Sequence, residues 1–180
     1  MKHIMLDLET LGTKPGCAIV SVGACEFDLT GIKSEFYNTV DQRWHPAGAS
    51  IEAGTVAWWT EQSAEARSVF FLGPRVHYNS VLYNFGQFAL KNVPLQQVEP
   101  VFLWGHGAAF DAPILEAYYR MADLDMGIPF YNWRDTRTLY ALAGVKPIRE
   151  GGTHHNALDD AKAQALAVIE ACKKLNVELA

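Results

Sequence analysis

Alternating apolar and polar positions open the chain. Residues 4–9 read Ile-Met-Leu-Asp-Leu-Glu, and this period of two, which ends at a glycine-rich turn at 12–16, predicts a β-strand. Residues 18–27 are rich in Val, Ile and small side chains, and residues 34–40 follow them after a turn at 28–31. We expect these segments to be a second and a third strand, so the chain begins with a three-stranded antiparallel meander.

Helical spacing follows this meander. Apolar positions over 56–69 surround a polar middle, which fits either one helix or separate helical turns. The clearest mid-chain helix is predicted over Tyr78–Asn92, and a short apolar strand is predicted over Val101–Trp104. Apolar residues then recur at steps of three and four over 110–121, which predicts another helix and places Asp111 in its first turn.

Two further helices complete the predicted order. One lies near 135–143, and the last carries apolar residues from Leu158 to Cys172. The segment 144–154 between them has the Pro and Gly content of a loop. An antiparallel opening followed by alternating helices and a strand predicts an α/β or α+β domain, in which helices pack over a mixed sheet.

Size and composition narrow the class of protein. A chain of 180 residues is close to the size of one domain, so we expect a single domain over residues 1–180. Hydrophobic residues make up 49% and charged residues 19%, which excludes an extensively disordered chain. The net charge of −5 gives no bulk attraction to a polyanion, so a nucleic-acid partner would have to be held locally.

Two absences in the sequence bear on where the protein works. No apolar stretch approaches the roughly 18 residues that a membrane helix needs, so we expect no membrane partner. Cys17, Cys25 and Cys172 are an odd number without close metal-ligand spacing, which suggests neither a disulfide framework nor a zinc site. A reducing cytoplasm is the expected location.

Acidic residues stand out at three places that could form one site. Asp7 and Glu9 are two apart on the first strand, so their carboxylates point the same way with Cα atoms roughly 6.5 to 7 Å apart. Asp111 begins a central helix, and Asp159 and Asp160 begin the last one. Each acid alone is weak evidence, because strand faces and first helical turns often carry acids. The combination is what suggests a shared site.

Four ionised carboxylates in one pocket would repel each other unless cations lie among them. The four ionised carboxylates would be those of Asp7, Glu9, Asp111 and Asp160, with a total charge of −4. Two magnesium or manganese ions carry a total charge of +4, which balances it. Such a pair of ions can activate a water molecule and stabilise a leaving oxygen. Histidine ordinarily titrates near neutral pH, so His155 is a natural general base for that water.

Three segments resemble the exonuclease motifs of the DEDDh superfamily. They read Asp-Leu-Glu-Thr at 7–10, Gly-His-Gly-Ala-Ala-Phe-Asp at 105–111 and His-Asn-Ala-Leu-Asp-Asp-Ala at 155–161. The resemblance implies a ribonuclease H-like α/β fold, a mixed β-sheet flanked by helices, and removal of nucleotides from 3′ ends with two metal ions. Segments 55–67 and 134–139 are similar to the branch that contains phage DexA exonucleases, exonuclease VIII-like proteins and ribonuclease AS.

The resemblance also implies roles for single residues. It implies two Mg²⁺ or Mn²⁺ ions bound by Asp7, Glu9, Asp111 and Asp160, with His155 as the base. Helical periodicity does not distinguish Asp160 from its neighbour Asp159, and the motif favours Asp160. At Gly107 the sequence departs from many members of the superfamily, which carry Asn there.

Substrate contacts are predicted around the motifs. The resemblance suggests that Thr10 and Leu11 meet the terminal nucleotide. Trp58 and Trp59 could stack on bases, but neighbouring tryptophans on a helix point apart and one of them is expected in the core. We name Trp59 as the residue that binds substrate. Candidate phosphate contacts are Arg67, Arg134, Arg149 and, as the one we name for substrate binding, Arg137.

The function expected from the sequence is a metal-dependent 3′-to-5′ exonuclease that acts on the 3′ ends of single-stranded DNA or RNA. A non-catalytic nucleic-acid-binding module on the same fold is the alternative, and it predicts a missing ligand or a replaced His155, neither of which is seen. A phosphatase or small-nucleotide hydrolase that uses the same acids is a third hypothesis. The aromatic content also permits a homodimer contact.

Overall fold

The fold is built on a mixed β-sheet of six strands. The computed structural model describes residues 1–90, 100–148 and 155–179. Its strands are β1 (Lys2–Thr10), β2 (Ile19–Asp28), β3 (Gly31–Val40), β4 (Arg75–Val76), β5 (Val101–Gly105) and β6 (Trp133–Asp135). They lie in the order β4-β3-β2-β1-β5-β6. The pairs β1–β2 and β2–β3 are antiparallel, whereas β1–β5, β5–β6 and β3–β4 are parallel.

Helices cover this sheet. They are α1 (Ala53–Glu61), α2 (Ala64–Arg67), α3 (Tyr78–Leu90), α4 (Asp111–Met121), α5 (Thr136–Ala143) and α6 (Ala157–Leu175). The helical segment predicted over 56–69 is therefore divided between α1 and α2 and is not one helix. The predicted end of the mid-chain helix at Asn92 lies outside the described residues. No helix in the described part of the chain is long and apolar enough to span a membrane.

The alternation of β1 divides its side chains between the two faces of the sheet. Ile4, Leu6 and Leu8 are buried in one cluster with side chains of α3 and α4. Met5 is buried in a second cluster on the other face, with α5 and α6. Because side chains two apart on a strand share a face, Asp7 has the orientation of Met5 and lies on the side of α6. The predicted strand and its core face are confirmed.

α6 crosses the sheet at the level of Asp7. It packs on β1, β2 and β3, and its first residues lie against Gly23, the residue of β2 that pairs with Asp7. Asn156 caps the helix, because its side-chain oxygen accepts hydrogen bonds from the main-chain N–H groups of Leu158 and Asp159. The start of α6 is therefore fixed next to the acidic end of β1.

Two strands were missed by the sequence patterns. β4 has two residues and β6 has three, which is too short for an alternation to be recognised. Each is formed through parallel pairing with a strand that is distant in sequence. Cys17, Cys25 and Cys172 are buried and free.

Candidate active site

The acidic residues of β1 open into a pocket of about 570 Å³. Its wall is formed by the end of β1, the turn after it, the start of α1, the residue before α4, and the start of α6. Asp7, Glu9, His155 and Asp160 all line it. Residues that are about 150 positions apart in sequence thus share one cavity.

Three side chains approach each other closely enough to share a metal ion. Glu9, His155 and Asp160 each offer one ligand atom, and these atoms lie within 4.8 Å of one another. Glu9 is 7% exposed and Asp160 is 4% exposed, whereas Asp159 is only half-buried. The structure therefore separates the two neighbouring aspartates, and it places Asp160 on the side of the pocket. Carboxylate oxygens are donors that suit hard divalent cations.

Asp111 is buried at the start of α4, next to β1. Its Oδ1 accepts a hydrogen bond of 3.2 Å from the main-chain N–H of Leu8, and its Oδ2 accepts one of 3.0 Å from the main-chain N–H of His106. Burial raises the pKa of this carboxyl to about 7, although these two bonds and the charge of Arg137 lower it. Gly105 permits the approach, because a Cβ at that position would lie 3.2 Å from Asp111 Oδ2.

The charges of three other acidic residues act on Asp7. Burial raises its pKa well above the usual value, and the charges of Asp111, Glu9 and Asp160 raise it further. The opposing influence is Gln164 of α6, whose Nε2 donates a hydrogen bond of 2.7 Å to Asp7 Oδ1. Crowded carboxylates of this kind are stabilised in their charged form by a bound cation. The donor set therefore fits divalent metal.

His155 lies between α1 and the start of α6. Its φ of +62° is in the left-handed region, which histidine adopts more readily than most residues. The ring of Trp58 contacts the imidazole edge-on, with ring centroids 4.8 Å apart. Strained backbone at such a position is common where a side chain has to be aimed at a functional site.

The two tryptophans of α1 differ in their surroundings. Trp59 is 4% exposed, packs in a core cluster with Leu11, and donates a hydrogen bond of 2.9 Å from Nε1 to the carbonyl of Thr10. Its ring faces the core, so the prediction that Trp59 stacks on a base has to be corrected. Trp58 is 40% exposed and lines the pocket, so its indole is the accessible one of the two.

Of the two residues after the acidic pair, Thr10 lines the pocket and Leu11 lies in the core. The Oγ1 of Thr10 donates a hydrogen bond of 2.6 Å to the carbonyl of Gly12. Leu11 is 9% exposed and belongs to the core cluster of Trp59. Thr10 therefore contacts the pocket although it is only 6% exposed, and its carbonyl is already engaged by Trp59.

The candidate arginines are dispersed. Arg137 is exposed and lies beside Gly107, whose φ of +129° disfavours any side chain there. Arg134 is engaged elsewhere, with its guanidinium 4.4 Å from the centre of an aromatic ring of β5. Arg67 donates to a carbonyl at the end of α1, and Arg149 lies outside the described residues. Arg137 is thus the described arginine of this set that is close to the carboxylates.

Several residues at the site were not predicted. Gln164 lies four positions after Asp160, one turn along the same helix, and this spacing could have indicated it. Glu52 and Thr13 line the pocket and are joined by a hydrogen bond of 3.0 Å from Thr13 Oγ1 to Glu52 Oε2. Both lie outside the motifs in non-repetitive backbone, so no spacing could have placed them there.

Solved nuclease structures share this fold. The nuclease domain of 3′hExo, a DEDDh family member bound to rAMP, superposes with a TM-score of 0.62 at 12% identity, over 99% of this chain and 94% of that chain. Exonuclease X in complex with 5′ overhanging duplex DNA has a TM-score of 0.54 at 15% identity, over 97% and 92% of the two chains. These likenesses confirm the ribonuclease H-like mixed sheet flanked by helices.

The sequence itself gives the family. No curated protein sequence matches the chain at a significant level. Residues 2–172 match the family described as the 3′-5′ exoribonuclease Rv2179c-like domain. Because this match covers nearly all of the chain, the protein belongs to the Rv2179c-like family and is a 3′-5′ exonuclease.

Proposed function

We propose that this exonuclease removes nucleotides from the 3′ ends of single-stranded RNA, with His155 as general base and two Mg²⁺ or Mn²⁺ ions held by four carboxylates. The observation that carries the proposal is the convergence of Glu9, His155 and Asp160 within 4.8 Å beside Asp7 in one pocket. The family description names an exoribonuclease, which favours RNA over DNA.

The proposed ligands are Asp7, Glu9, Asp111 and Asp160. When bound there, two divalent cations supply activation of the attacking water and stabilisation of the leaving oxygen. The charge supports a pair of ions, because four ionised carboxylates give −4 and two divalent cations give +4. Asp7 and Asp111, whose pKa values are both raised, are the ligands that gain most from this compensation.

The surroundings of His155 support its proposed role as general base. It lines the pocket with Glu9 and Asp160, so its imidazole can accept a proton from a water molecule held between these carboxylates and the scissile phosphate. The edge-on contact with Trp58 limits rotation of the ring. Although its ring is also close enough to Glu9 and Asp160 to share a metal ion with them, we assign the proton transfer to His155 and the metal to the four carboxylates, because hard divalent cations prefer oxygen donors.

The remainder of the pocket suits a terminal nucleoside. Trp58 offers an exposed ring for stacking, which is worth about 1–3 kcal/mol per base. Glu52 and Thr13 also line the pocket, and a carboxylate accepts hydrogen bonds from ribose hydroxyls but repels a phosphate. No Lys or Arg of the described residues lines this pocket. The terminal nucleoside is therefore proposed to end in hydroxyl groups.

Two further expectations stay predictions. A cytoplasmic location is supported by three buried free thiols, which are typical of a reducing compartment. A homodimer is supported only by exposed apolar residues such as Phe71 and Leu72, and sedimentation velocity would test it.

The test compares matched single-stranded RNA and DNA oligonucleotides, labelled at the 5′ end, with the purified protein and magnesium. We expect a ladder that shortens from the 3′ end, release of mononucleotides, faster loss of RNA, and no cleavage by Asp7→Ala. Binding without cleavage would favour the non-catalytic alternative. Release of inorganic phosphate alone would favour a phosphatase, and activity that persists in Asp7→Ala would overturn the proposed mechanism.

A further inference from the structure

Gln164 connects α6 directly to the acidic strand. It lies one turn after Asp160 and is 4% exposed. Its Nε2 donates a hydrogen bond of 2.7 Å to Asp7 Oδ1, between residues that are 157 positions apart. It is the only hydrogen bond to the Asp7 side chain within the described part of the chain, so Oδ2 of that carboxylate accepts none there.

The glutamine is an unfavourable choice for packing alone. Its Oε1 is buried and finds no hydrogen-bond partner among the described residues, and an unsatisfied buried carbonyl carries a desolvation cost. Its neighbours on the buried face of α6 are small or apolar, including Ala161, Ala165 and Val168. An apolar side chain at position 164 would avoid the cost, so the bond to Asp7 is the feature that accounts for a glutamine.

The main chain at Gln164 is also fixed. The hydroxyl of Tyr140 on α5 donates a hydrogen bond of 2.6 Å to the Gln164 carbonyl. The position of the helix turn is thereby tied to a second helix as well as to the sheet. Because Asp160 is on the preceding turn, one rigid segment carries both a proposed ligand and the amide that contacts another proposed ligand.

We propose that Gln164 is a positioning residue for the metal site, in which its amide holds Asp7 Oδ1 and leaves Oδ2 free for a divalent cation. This inference rests on the proposed function, because it takes Asp7 to be a ligand. Groups that orient metal ligands through hydrogen bonds commonly change metal affinity or activity by 10- to 100-fold when they are removed.

The test measures Mn²⁺ binding to the full chain without nucleic acid by isothermal titration calorimetry, together with kcat and KM on an RNA oligonucleotide. Gln164→Leu keeps the size of the side chain and removes the donor, and Gln164→Asn keeps the amide but is one methylene shorter. We expect both to raise the Kd for Mn²⁺ about tenfold. We also expect them to lower kcat to a similar extent and to leave KM for RNA within about twofold of the parent, since Gln164 does not line the pocket.

Asp159→Asn is the matched control, because it removes a carboxylate of the same helix that does not line the pocket, and it should change neither quantity. Melting curves establish that each variant is folded, and Gln164→Asn serves if Gln164→Leu does not fold. A folded variant that binds Mn²⁺ with the affinity of the parent would overturn the inference and leave the proposed function intact. A parent protein that binds no Mn²⁺ would overturn both.

Discussion

Gly23 of β2 lies so close to Ala157 of α6 that a Cβ at position 23 would stand 2.2 Å from the Ala157 carbonyl carbon. Gly23 is also the residue that pairs with Asp7 across the sheet. The absence of a side chain at this position therefore lets the start of the helix reach the acidic end of β1. The approach of His155 and Asp160 to Glu9 depends on it.

Gly23→Ala should reduce activity although it alters no proposed ligand. The added methyl group would meet main-chain atoms that have to move, and overpacking of this kind costs about 1–3 kcal/mol, occasionally more. We expect a loss of kcat of at least about tenfold, because small displacements of catalytic groups have large effects. Melting curves and steady-state kinetics would measure both effects.

Gly86→Ala is the matched control for that experiment. Gly86 lies within α3, and a Cβ there would meet the Tyr119 hydroxyl at an ordinary 3.7 Å. Alanine within a helix is favoured over glycine by roughly 0.5–1 kcal/mol. We expect unchanged activity and equal or higher stability, and a loss of activity equal to that of Gly23→Ala would contradict the packing argument.

Asp7→Asn should stabilise the metal-free protein while abolishing activity. The pKa of Asp7 is raised well above 3.8, and that of Asp111 is raised to about 7. The stability that such groups contribute is fully present below pH 3.8 and is lost as pH rises through their folded pKa values. In EDTA, the melting temperature of Asp7→Asn should exceed that of the parent at pH 8, and the difference should shrink toward pH 4.

Metal should have the opposite pH dependence in the parent protein. Cations compensate carboxylates only in their charged form, so Mg²⁺ or Mn²⁺ should raise the melting temperature more at pH 8 than at pH 5. The Asp7→Asn variant should show a much smaller increase. An equal shift in parent and variant would indicate that the ions bind elsewhere.

The sequence was sufficient to predict the strand alternation and the main helices. β1 and α6 are long elements with a clear apolar face. The period of two in β1 already places Ile4 and Asp7 on opposite faces of the strand. The motifs could indicate Asp160 over Asp159. The structure adds a physical difference between the two, because Asp160 is buried at the pocket and Asp159 is half-exposed.

Features that depend on tertiary contact could not be predicted. The choice between Trp58 and Trp59 depends on which ring faces the core cluster, and α1 has no strong apolar stripe that would decide it. The role of Gly23 and the hydrogen bond from Gln164 to Asp7 exist only once α6 lies on the sheet. The pairing of Glu52 with Thr13 likewise joins two loops.

The two tryptophans of α1 should respond differently to substitution. Trp58→Ala should lower kcat/KM by roughly tenfold, because it removes one stacking surface, and Trp58→Phe should recover much of this loss. Trp59→Ala should instead destabilise the fold by about 3–5 kcal/mol, since it empties a buried site. Kinetics and melting curves on the three variants would separate these effects, and a Trp58→Ala variant with parental kinetics would remove base stacking from the account.

An RNA with a 3′-phosphate should be a poor substrate. Glu52 lines the pocket with the other carboxylates, so a terminal phosphate would add charge repulsion where a hydroxyl donates a hydrogen bond. We expect the 3′-hydroxyl form to be degraded at least about tenfold faster, a difference of about 1.4 kcal/mol. Glu52→Gln should reduce the ratio between the degradation rates of the 3′-hydroxyl and 3′-phosphate forms. Equal rates for the two ends would show that the terminal nucleoside lies away from Glu52.

The most direct measurement is anomalous diffraction from crystals of the parent protein grown with MnCl₂. Two manganese peaks about 4 Å apart, with ligands from Asp7, Glu9, Asp111 and Asp160 and with His155 outside the coordination shell, are the predicted result. Fully occupied manganese at other positions, with these four carboxylates left without a metal, would contradict the account.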